Sequence, residues 1–323
     1  MQITHIGIAY SVSAGPRRWA RLEEGLGWLA DQGYQLVEMN PHALAIIVNG
    51  QVRQDVLADY VAVLKNFDLH YTIHGLNRLN LAYDPRRALC RQIMRAQIEV
   101  CHAIGAKVLV YHSGLQALDL VRHGVRRTLL SDDELRVGAE QEVQALRELG
   151  PVAADAGVLI GMENGDSHQW EHNVLAPFDR PRADLAKHHA RLYIPPIVRQ
   201  LEAIDHPNIG MTLDIAHLHI AAHDMGFDYL EAVNQAAPWV RHLHANDNFG
   251  RLDQGFDNEV DRWAYGEADV HLPPGWGAIP YKEVFARLPN YEGNLILEIK
   301  MGFADYFGES LATMKQLTAS SLA

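Results

Sequence analysis

Side chains that bind metal ions recur in this chain at the ends of short apolar runs, as in LVYHSG, MTLDIAH and LILEIK. Six consecutive runs end in an imidazole or a carboxylate, and the residues are His74, His112, Glu163, Asp214, His244 and Glu298. A lone histidine in such a place is usually a hydrogen-bonded structural residue, whereas a carboxylate there is costly to bury unpaired. A mixed set of imidazoles and carboxylates suits Zn²⁺, Mn²⁺, Fe²⁺ or Co²⁺ better than Ca²⁺, which prefers oxygen ligands. The pattern therefore predicts a divalent-metal site.

Two further segments carry the same residue types. His217 follows Asp214 by three residues, and the late stretch GEADVHLPPGWGAIPY contains Asp269 and His271. In an extended segment two side chains one residue apart share a face, so this Asp-x-His pair could bind one ion. Taken alone, the same stretch is more typical of a polar turn before the last helices.

The elements that must bring these residues together are eight β-branched, apolar runs. We expect strands at residues 4–10, 35–39, 70–74, 107–112, 158–163, 210–214, 240–244 and 294–299. Helical periodicity between them predicts a parallel sheet covered by helices, and eight strands close a (β/α)8 TIM barrel, in which the strand C-termini meet at one rim. The rival fold, a doubly wound open sheet, would favour a G-x-G-x-x-G turn after the first strand, and residues 11–15 lack it.

The helical stretches and the long connections complete this prediction. Helices are expected at residues 18–31, 53–66, 86–104, 132–156, 229–237, 281–288 and 311–318. Three connections after strands are longer than a barrel needs, at residues 113–131, 164–193 and 248–276, and we expect them on the catalytic face as lids or specificity elements. No linker or repeat divides the chain, so residues 1–323 are expected to form one domain.

Composition narrows the class of protein. The net charge of −12 argues against nucleic acid as a partner, although a local basic pocket could hold a small anion. Two cysteines, Cys90 and Cys101, are too few for a disulfide framework, and the N-terminal segment has no basic leader, so a cytoplasmic protein with free thiols is expected. No apolar run is long enough to span a membrane, and a homo-oligomer stays open. Of the 18 histidines, five were expected on the surface: His102, His123, His172, His188 and His189.

The strand-end residues resemble those of the xylose-isomerase-like barrel superfamily, which contains endonuclease IV and many sugar and sugar-phosphate isomerases and epimerases. The resemblance covers nearly the whole chain. Glu163, Asp214, His244 and Glu298 match, in order and spacing, the Glu–Asp–His–Glu set that binds one catalytic metal in the isomerase and epimerase branch. It implies a barrel enzyme that uses a divalent cation, Mn²⁺ or Zn²⁺.

The chain also resembles endonuclease IV, which binds three metals. IHGLNRLNLAYD is similar to its third-strand segment, and the late Asp-x-His before G-x-G is similar as well. The resemblance implies up to three ions, with these nine ligands: His74 and His112, bridged through Glu163 to Asp214, His244 and Glu298, and a third group of His217, Asp269 and His271. The chain departs from that enzyme at Asn77 and Arg78, where the endonuclease inserts an aromatic residue into DNA, and in its acidic charge and longer loops. These departures argue against DNA as the substrate.

Two chemistries fit this site. In the first, Glu163 and Glu298 transfer a proton in the isomerisation or epimerisation of a small sugar or sugar phosphate, and His217 hydrogen-bonds a substrate oxygen. Lys300, on the same strand face as Glu298, could bind a hydroxyl or a phosphate, or could be an exposed lysine at the rim. Asn77 and Trp170 are further candidates for substrate contact, although Trp170 could equally pack a lid.

In the second chemistry, a cluster of three metals hydrolyses a phosphate ester on a small molecule, and Glu163 bridges two of the metals. Arg122, Arg126 and Arg127 could then contact phosphate, although a solvated helix face is the simpler interpretation. Nine available ligands favour hydrolysis, since an epimerase needs four. The acidic surface favours a small-sugar enzyme, and isomerase or epimerase activity is our main expectation.

Overall fold

The computed structural model describes residues 1–255 and 258–320. Aliphatic and β-branched side chains dominate its strands, which are β1 (Gln2–Tyr10), β2 (Leu36–Met39), β3 (Ile47–Val48), β4 (Gln51–Val52), β5 (His70–His74), β6 (Val108–His112), β7 (Leu159–Glu163), β8 (Ile209–Asp214), β9 (Val240–Ala245) and β10 (Glu292–Leu297). Eight of them form a closed parallel barrel in the order β1-β10-β9-β8-β7-β6-β5-β2. The predicted (β/α)8 barrel is therefore confirmed.

Helices connect the strands. They are α1 (Arg18–Asp31), α2 (Gln54–Leu64), α3 (Arg87–Ile104), α4 (Leu118–Arg122), α5 (Asp132–Asp155), α6 (Gln169–Leu175), α7 (Leu185–His188), α8 (Ile194–Ile204), α9 (Ile215–Met225), α10 (Tyr229–Ala236), α11 (Glu259–Tyr265), α12 (Tyr281–Ala286) and α13 (Phe307–Ser320). The longest, α5, begins at a capping box in which Ser131 and Glu134 satisfy each other's backbone N–H groups. None of the described helices is long and apolar enough to cross a membrane.

The structure corrects four details of the sequence-based expectation. The antiparallel pair β3–β4 was not predicted. β10 ends at Leu297, so Glu298 lies just beyond the strand. The long connections contain helices of their own: α4 follows β6, α6 and α7 follow β7, and α11 lies in the segment 248–276, of which residues 256 and 257 are outside the described part. His188 and His189 are 3% and 1% exposed, so their expected place on the surface was wrong.

Close packing between β5 and β6 helps to set the position of the predicted ligand His74, which is the last residue of β5. Gly75 follows the last residue of β5, and a Cβ atom there would lie 2.3 Å from the carbonyl oxygen of Val110 in β6. Only glycine lets the two backbones approach this closely.

Cys90 and Cys101 are both buried and unbridged in α3, as expected.

Candidate metal centre and active site

Four of the predicted ligands meet where β7, β8, β9 and β10 end. One ligand atom from each of Glu163, Asp214, His244 and Glu298 lies within 4.8 Å of the others. His244 Nδ1 is 2.8 Å from Glu163 Oε1 and 3.3 Å from Glu298 Oε2. Glu163, Asp214 and His244 are fully buried, and Glu298 is 9% exposed. Residues up to 135 positions apart in the sequence thus converge on one point at the barrel rim.

Asp214 has a second role that orients its carboxylate. It is the N-cap of α9, and its Oδ1 accepts a hydrogen bond of 2.7 Å from the backbone N–H of His217. Asn164 holds the backbone of Asp214 on both sides, since its side chain donates to the Asp214 carbonyl at 3.0 Å and accepts from the Asp214 N–H at 2.9 Å. This capping occupies Oδ1 and leaves Oδ2, which accepts no hydrogen bond from the described residues, available to bind a metal ion.

A second group joins His74 and His112 to Glu163. His112 Nε2 lies 2.8 Å from Glu163 Oε2 and 3.3 Å from His74 Nε2. His74 Nδ1 lies 3.0 Å from the carbonyl oxygen of Gly75, which can only accept, so the ring proton is on Nδ1. Nε2 of His74 then carries a lone pair, which points toward the imidazole of His112. A metal-binding histidine is commonly oriented in this way, with its other ring N–H donated to a carbonyl group.

The third predicted group is more open. Asp269 Oδ2 lies 2.5 Å from His271 Nε2 and 3.4 Å from His217 Nε2. Among the described residues, the ligand atoms of His217, Asp269 and His271 do not form a cluster in which all lie within 4.8 Å of one another. His271 has a φ of 48°, a left-handed conformation that is strained for a residue with a side chain, and its Nδ1 lies 2.5 Å from the Glu298 carbonyl oxygen. The backbone thus holds His271 against Glu298.

Sequence reasoning missed Glu38, which lies in β2 and is 1% exposed. Its Oε1 is 3.0 Å from His244 Nε2, while its Oε2 is 3.2 Å from His242 Nε2 and accepts a 2.9 Å hydrogen bond from Thr72. A carboxylate that lies against the far nitrogen of a ligand histidine orients the ring and raises its basicity. The signal was present, because LVEM places an acidic residue inside an apolar strand.

Electrostatic coupling among these buried groups is strong. Burial, with the charges of Glu298 and Glu163, raises the pKa of Asp214 to about 7, although His217 opposes the shift. Burial would raise the pKa of Glu298 as well, but His244 outweighs it and lowers that pKa to about 2. Burial lowers the pKa of His244, and the surrounding carboxylates reverse this and raise it well above its usual value.

The residues fit a divalent cation. Asp214 Oδ2 and Asp269 Oδ1 are buried and accept no hydrogen bond from the described residues, which is costly for a carboxylate oxygen. The Nε2 atoms of His74 and His112 face each other at 3.3 Å, and the lone pair of His74 needs a partner. A cation bound between these atoms would satisfy them and would reduce the repulsion among the carboxylates.

A cavity of about 770 Å³ at the rim, a volume usual for small-molecule sites, is lined by seven of these residues: Glu38, His74, His112, His217, Asp269, His271 and Glu298. Glu163, Asp214 and His244 are fully buried and do not border it. Asn77, Trp170 and Lys300, the three residues proposed from the sequence to contact substrate, also line it. Lys300 Nζ is 3.2 Å from Glu259 Oε1, and its side chain is 38% exposed. The guanidinium carbon of Arg122 lies 4.2 Å from the centre of a Trp170 ring, so cation–π contact already occupies one face of the indole.

Of the three arginines expected near phosphate, only Arg122 borders this cavity. Arg126 pairs with Glu134 at 2.6 Å and lines a different, smaller pocket. Arg127 is exposed and lines neither of these two pockets. Arg126 and Arg127 therefore do not line the cavity, and they lie in the loop between α4 and α5 and not on the solvated helix face that was expected.

Comparison with known proteins agrees with this geometry. Residues 26–317 match the family described as xylose isomerase-like TIM barrel. The chain belongs to this family. Among curated proteins it is 25% identical over 216 residues to the uncharacterized protein MJ1311 of Methanocaldococcus jannaschii, which covers 66% of this chain and 58% of that protein.

Solved structures of sugar epimerases share the fold. A D-tagatose 3-epimerase-like protein is 18% identical, with a TM-score of 0.68, and the match covers 99% of this chain and 100% of that one. The 3-keto-D-glucoside 4-epimerase YcjR from E. coli is 17% identical, with a TM-score of 0.64 and coverage of 97% and 99%. The IOLI protein with a bound zinc atom is 17% identical, with a TM-score of 0.61 and coverage of 98% of both chains. At these identities the likeness shows the fold alone.

Proposed function

We propose that the protein is a divalent-metal-dependent isomerase or epimerase that acts on a small sugar. The observation that carries the proposal is a pair of neighbouring carboxylates at the barrel rim, of which Glu298 lines the cavity and Glu163 is fully buried. Glu163 and Glu298 approach the same nitrogen of His244, at 2.8 and 3.3 Å, from strands β7 and β10. Solved structures that share the fold include a D-tagatose 3-epimerase-like protein and a 3-keto-D-glucoside 4-epimerase, which supports the proposal.

Two carboxylates placed in this way suit a reaction that moves a proton between the two faces of a carbon atom. One carboxylate removes the proton beside a carbonyl group, and the other returns it on the opposite face. Although burial would raise the pKa of Glu163, the charges of His112 and His244 lower it well below its usual value, so this carboxylate is ionised at neutral pH. An ionised base is the form that the first step needs.

A bound cation, Mn²⁺ or Zn²⁺, would polarise the substrate carbonyl and so make the neighbouring proton more acidic. Glu163, Asp214, His244 and Glu298 would hold it, with Glu38 behind His244. His217 would hydrogen-bond a substrate oxygen from its place beside Asn164, whose carbonyl oxygen is 3.3 Å from His217 Nδ1. Asn77, Trp170 and Lys300 would contact the rest of the sugar.

Deuterium incorporation tests the proposal directly. The protein, loaded with Mn²⁺ or Zn²⁺, is incubated with a panel of ketoses in D₂O, and NMR measures exchange and inversion at the carbon atoms beside the carbonyl. We expect Glu163→Gln and Glu298→Gln each to lower exchange by at least about 10³-fold, because each removes one of the two bases. Glu292→Gln is the matched control, since Glu292 is exposed at the opposite end of β10. Full exchange in Glu298→Gln would remove Glu298 from the mechanism.

Hydrolysis of a small phosphate ester is the second candidate. The contact of His74 and His112 with Glu163, and the group around Asp269 on the same cavity, favour it because an epimerase does not need them. Metal analysis discriminates between the two, since one ion per chain supports isomerisation and three support hydrolysis. Release of inorganic phosphate without deuterium exchange would replace the first proposal with the second.

A further inference from the structure

Arg191 lines the cavity and has no acidic partner among the described residues. Its Nε donates a 2.9 Å hydrogen bond to His189 Nε2, and the described contacts leave its two terminal nitrogens without a partner. Five carboxylates border the same cavity, and each lies beside a histidine: Glu38, Asp119, Asp166, Asp269 and Glu298. Among the described residues, none of them forms an ion pair with the guanidinium of Arg191, which faces the cavity unpaired.

A buried chain of polar groups holds this guanidinium in place. Because a guanidinium can only donate, His189 Nε2 must accept, and the ring proton is on Nδ1, which lies 2.6 Å from Glu171 Oε1. Glu171, which forms this close contact with His189, is fully buried and accepts hydrogen bonds from the side chain of Gln116 at 3.1 Å and from the His168 N–H at 3.0 Å. A carboxylate and an imidazole thus orient Arg191 from behind, which is the arrangement expected of a preorganised binding residue.

The backbone places this arginine beside the metal-ligating residues. The carbonyl oxygen of Arg191 accepts a 3.0 Å hydrogen bond from the N–H of Gly165, two residues after Glu163. A Cβ atom at Gly165 would lie 2.7 Å from Arg191 Nε, so the side chain passes directly over this glycine. Burial lowers the pKa of His112 to about 4, and the charge of Arg191 contributes to that shift, which agrees with their proximity.

We propose that Arg191 binds an anionic group of the substrate, a phosphate or a carboxylate, so that the enzyme acts on a charged sugar. The two terminal nitrogens form a planar fork that matches two oxygens of such a group. In a chain with a net charge of −12, a site of this kind would also attract an anion that the rest of the surface repels. This inference rests on the proposed function in so far as it names the substrate of that site.

Binding of unreactive sugar analogues, which have no ketone or aldehyde group and so cannot be epimerised by the proposed reaction, isolates this contact. Dissociation constants of D-arabinitol 5-phosphate, D-arabinonate and D-arabinitol are measured by calorimetry on the Mn²⁺-loaded protein. We expect the phosphate or the carboxylate to bind at least about tenfold more tightly than the neutral polyol, and Arg191→Gln to remove that gain. Whichever anion shows the gain identifies the charged group. Arg191→Lys should keep part of it, since it keeps the charge and loses the fork.

Arg127→Gln is the matched control, because it removes the same charge from the exposed loop after β6 and should leave all three constants within about twofold. Circular dichroism checks folding, and Arg191→Lys stands in should Arg191→Gln not fold. Anions that bind no more tightly than arabinitol, or a gain that persists in Arg191→Gln, would overturn the inference. Epimerisation of neutral ketoses with no anion gain would leave the proposed function standing. An anion gain that depends on Arg191, without deuterium exchange in any neutral or charged ketose, would refute the function and keep the anion site.

Discussion

Replacing Glu38 by glutamine tests how much the carboxylate behind His244 contributes to metal affinity, without changing any of the four predicted ligands. Glutamine keeps the size of the side chain and can still accept from Thr72, but it removes the charge that faces His244 Nε2 at 3.0 Å and His242 Nε2 at 3.2 Å. No atom of the Glu163, Asp214, His244 and Glu298 set is altered. The substitution should therefore change the affinity for the metal while the barrel stays folded.

The magnitude follows from these contacts. Loss of a carboxylate behind a ligand imidazole typically weakens metal binding by about 10- to 100-fold, which corresponds to about 1.4–2.7 kcal/mol. The Kd for Zn²⁺ is measured by competition with a chromophoric chelator, and the visible spectrum of the Co²⁺-loaded protein reports the geometry of the site. Glu142→Gln is a useful comparison, since Glu142 is equally buried but bonds Tyr111 at 2.6 Å instead of a ligand. An unchanged Kd and an unchanged Co²⁺ spectrum in folded Glu38→Gln would refute this role of Glu38.

Two further outcomes follow from the structure. Removal of metal with EDTA should lower the Tm, since at a free ion concentration of about 100 times Kd the ion stabilises the fold by ~2.7 kcal/mol. Re-addition of Mn²⁺ or Zn²⁺ should restore the Tm. A Tm that is unaffected by complete loss of metal would contradict the proposed metal site. Gly75→Ala should destabilise the protein by about 1–3 kcal/mol in chemical denaturation, because the new methyl group meets the Val110 carbonyl oxygen at 2.3 Å. The control is Gly27→Ala in α1, where a new Cβ atom would lie 3.7 Å from the nearest atom, in the ring of Phe67. This substitution should be neutral or stabilising, and equal effects at both positions would contradict the packing argument.

The fold and much of the site could be predicted because both depend on local patterns. Apolar runs that end in His112, Glu163 or Asp214 indicate strands, and parallel strands of a closed barrel end at the same rim. The expected boundaries agree with the structure to within a few residues for most strands. Glu298 shows the limit of this reasoning, since it was expected inside a strand and lies one residue beyond β10.

Other features depend on neighbours that are remote in the sequence. Glu38 is a single acidic residue in a short strand. Only closure of the barrel brings β2 across the interior from β9, so that Glu38 contacts His242 and His244, which β9 carries. His189 looked like a surface histidine within a polar segment, and tertiary packing places it between Glu171 and Arg191. Loop residues carry no periodic pattern, so their burial follows from packing and not from spacing.

The sequence by itself therefore determined the barrel, the rim and the residue types that meet there, because strand periodicity and strand direction are encoded locally. Only the tertiary structure decided that the Glu38 carboxylate lies behind the imidazole of His244 and that the guanidinium of Arg191 faces the cavity. The physical reason is that hydrogen bonds between side chains require distances near 3 Å, and such distances between residues as far apart as Glu38 and His244 exist only after the barrel has closed.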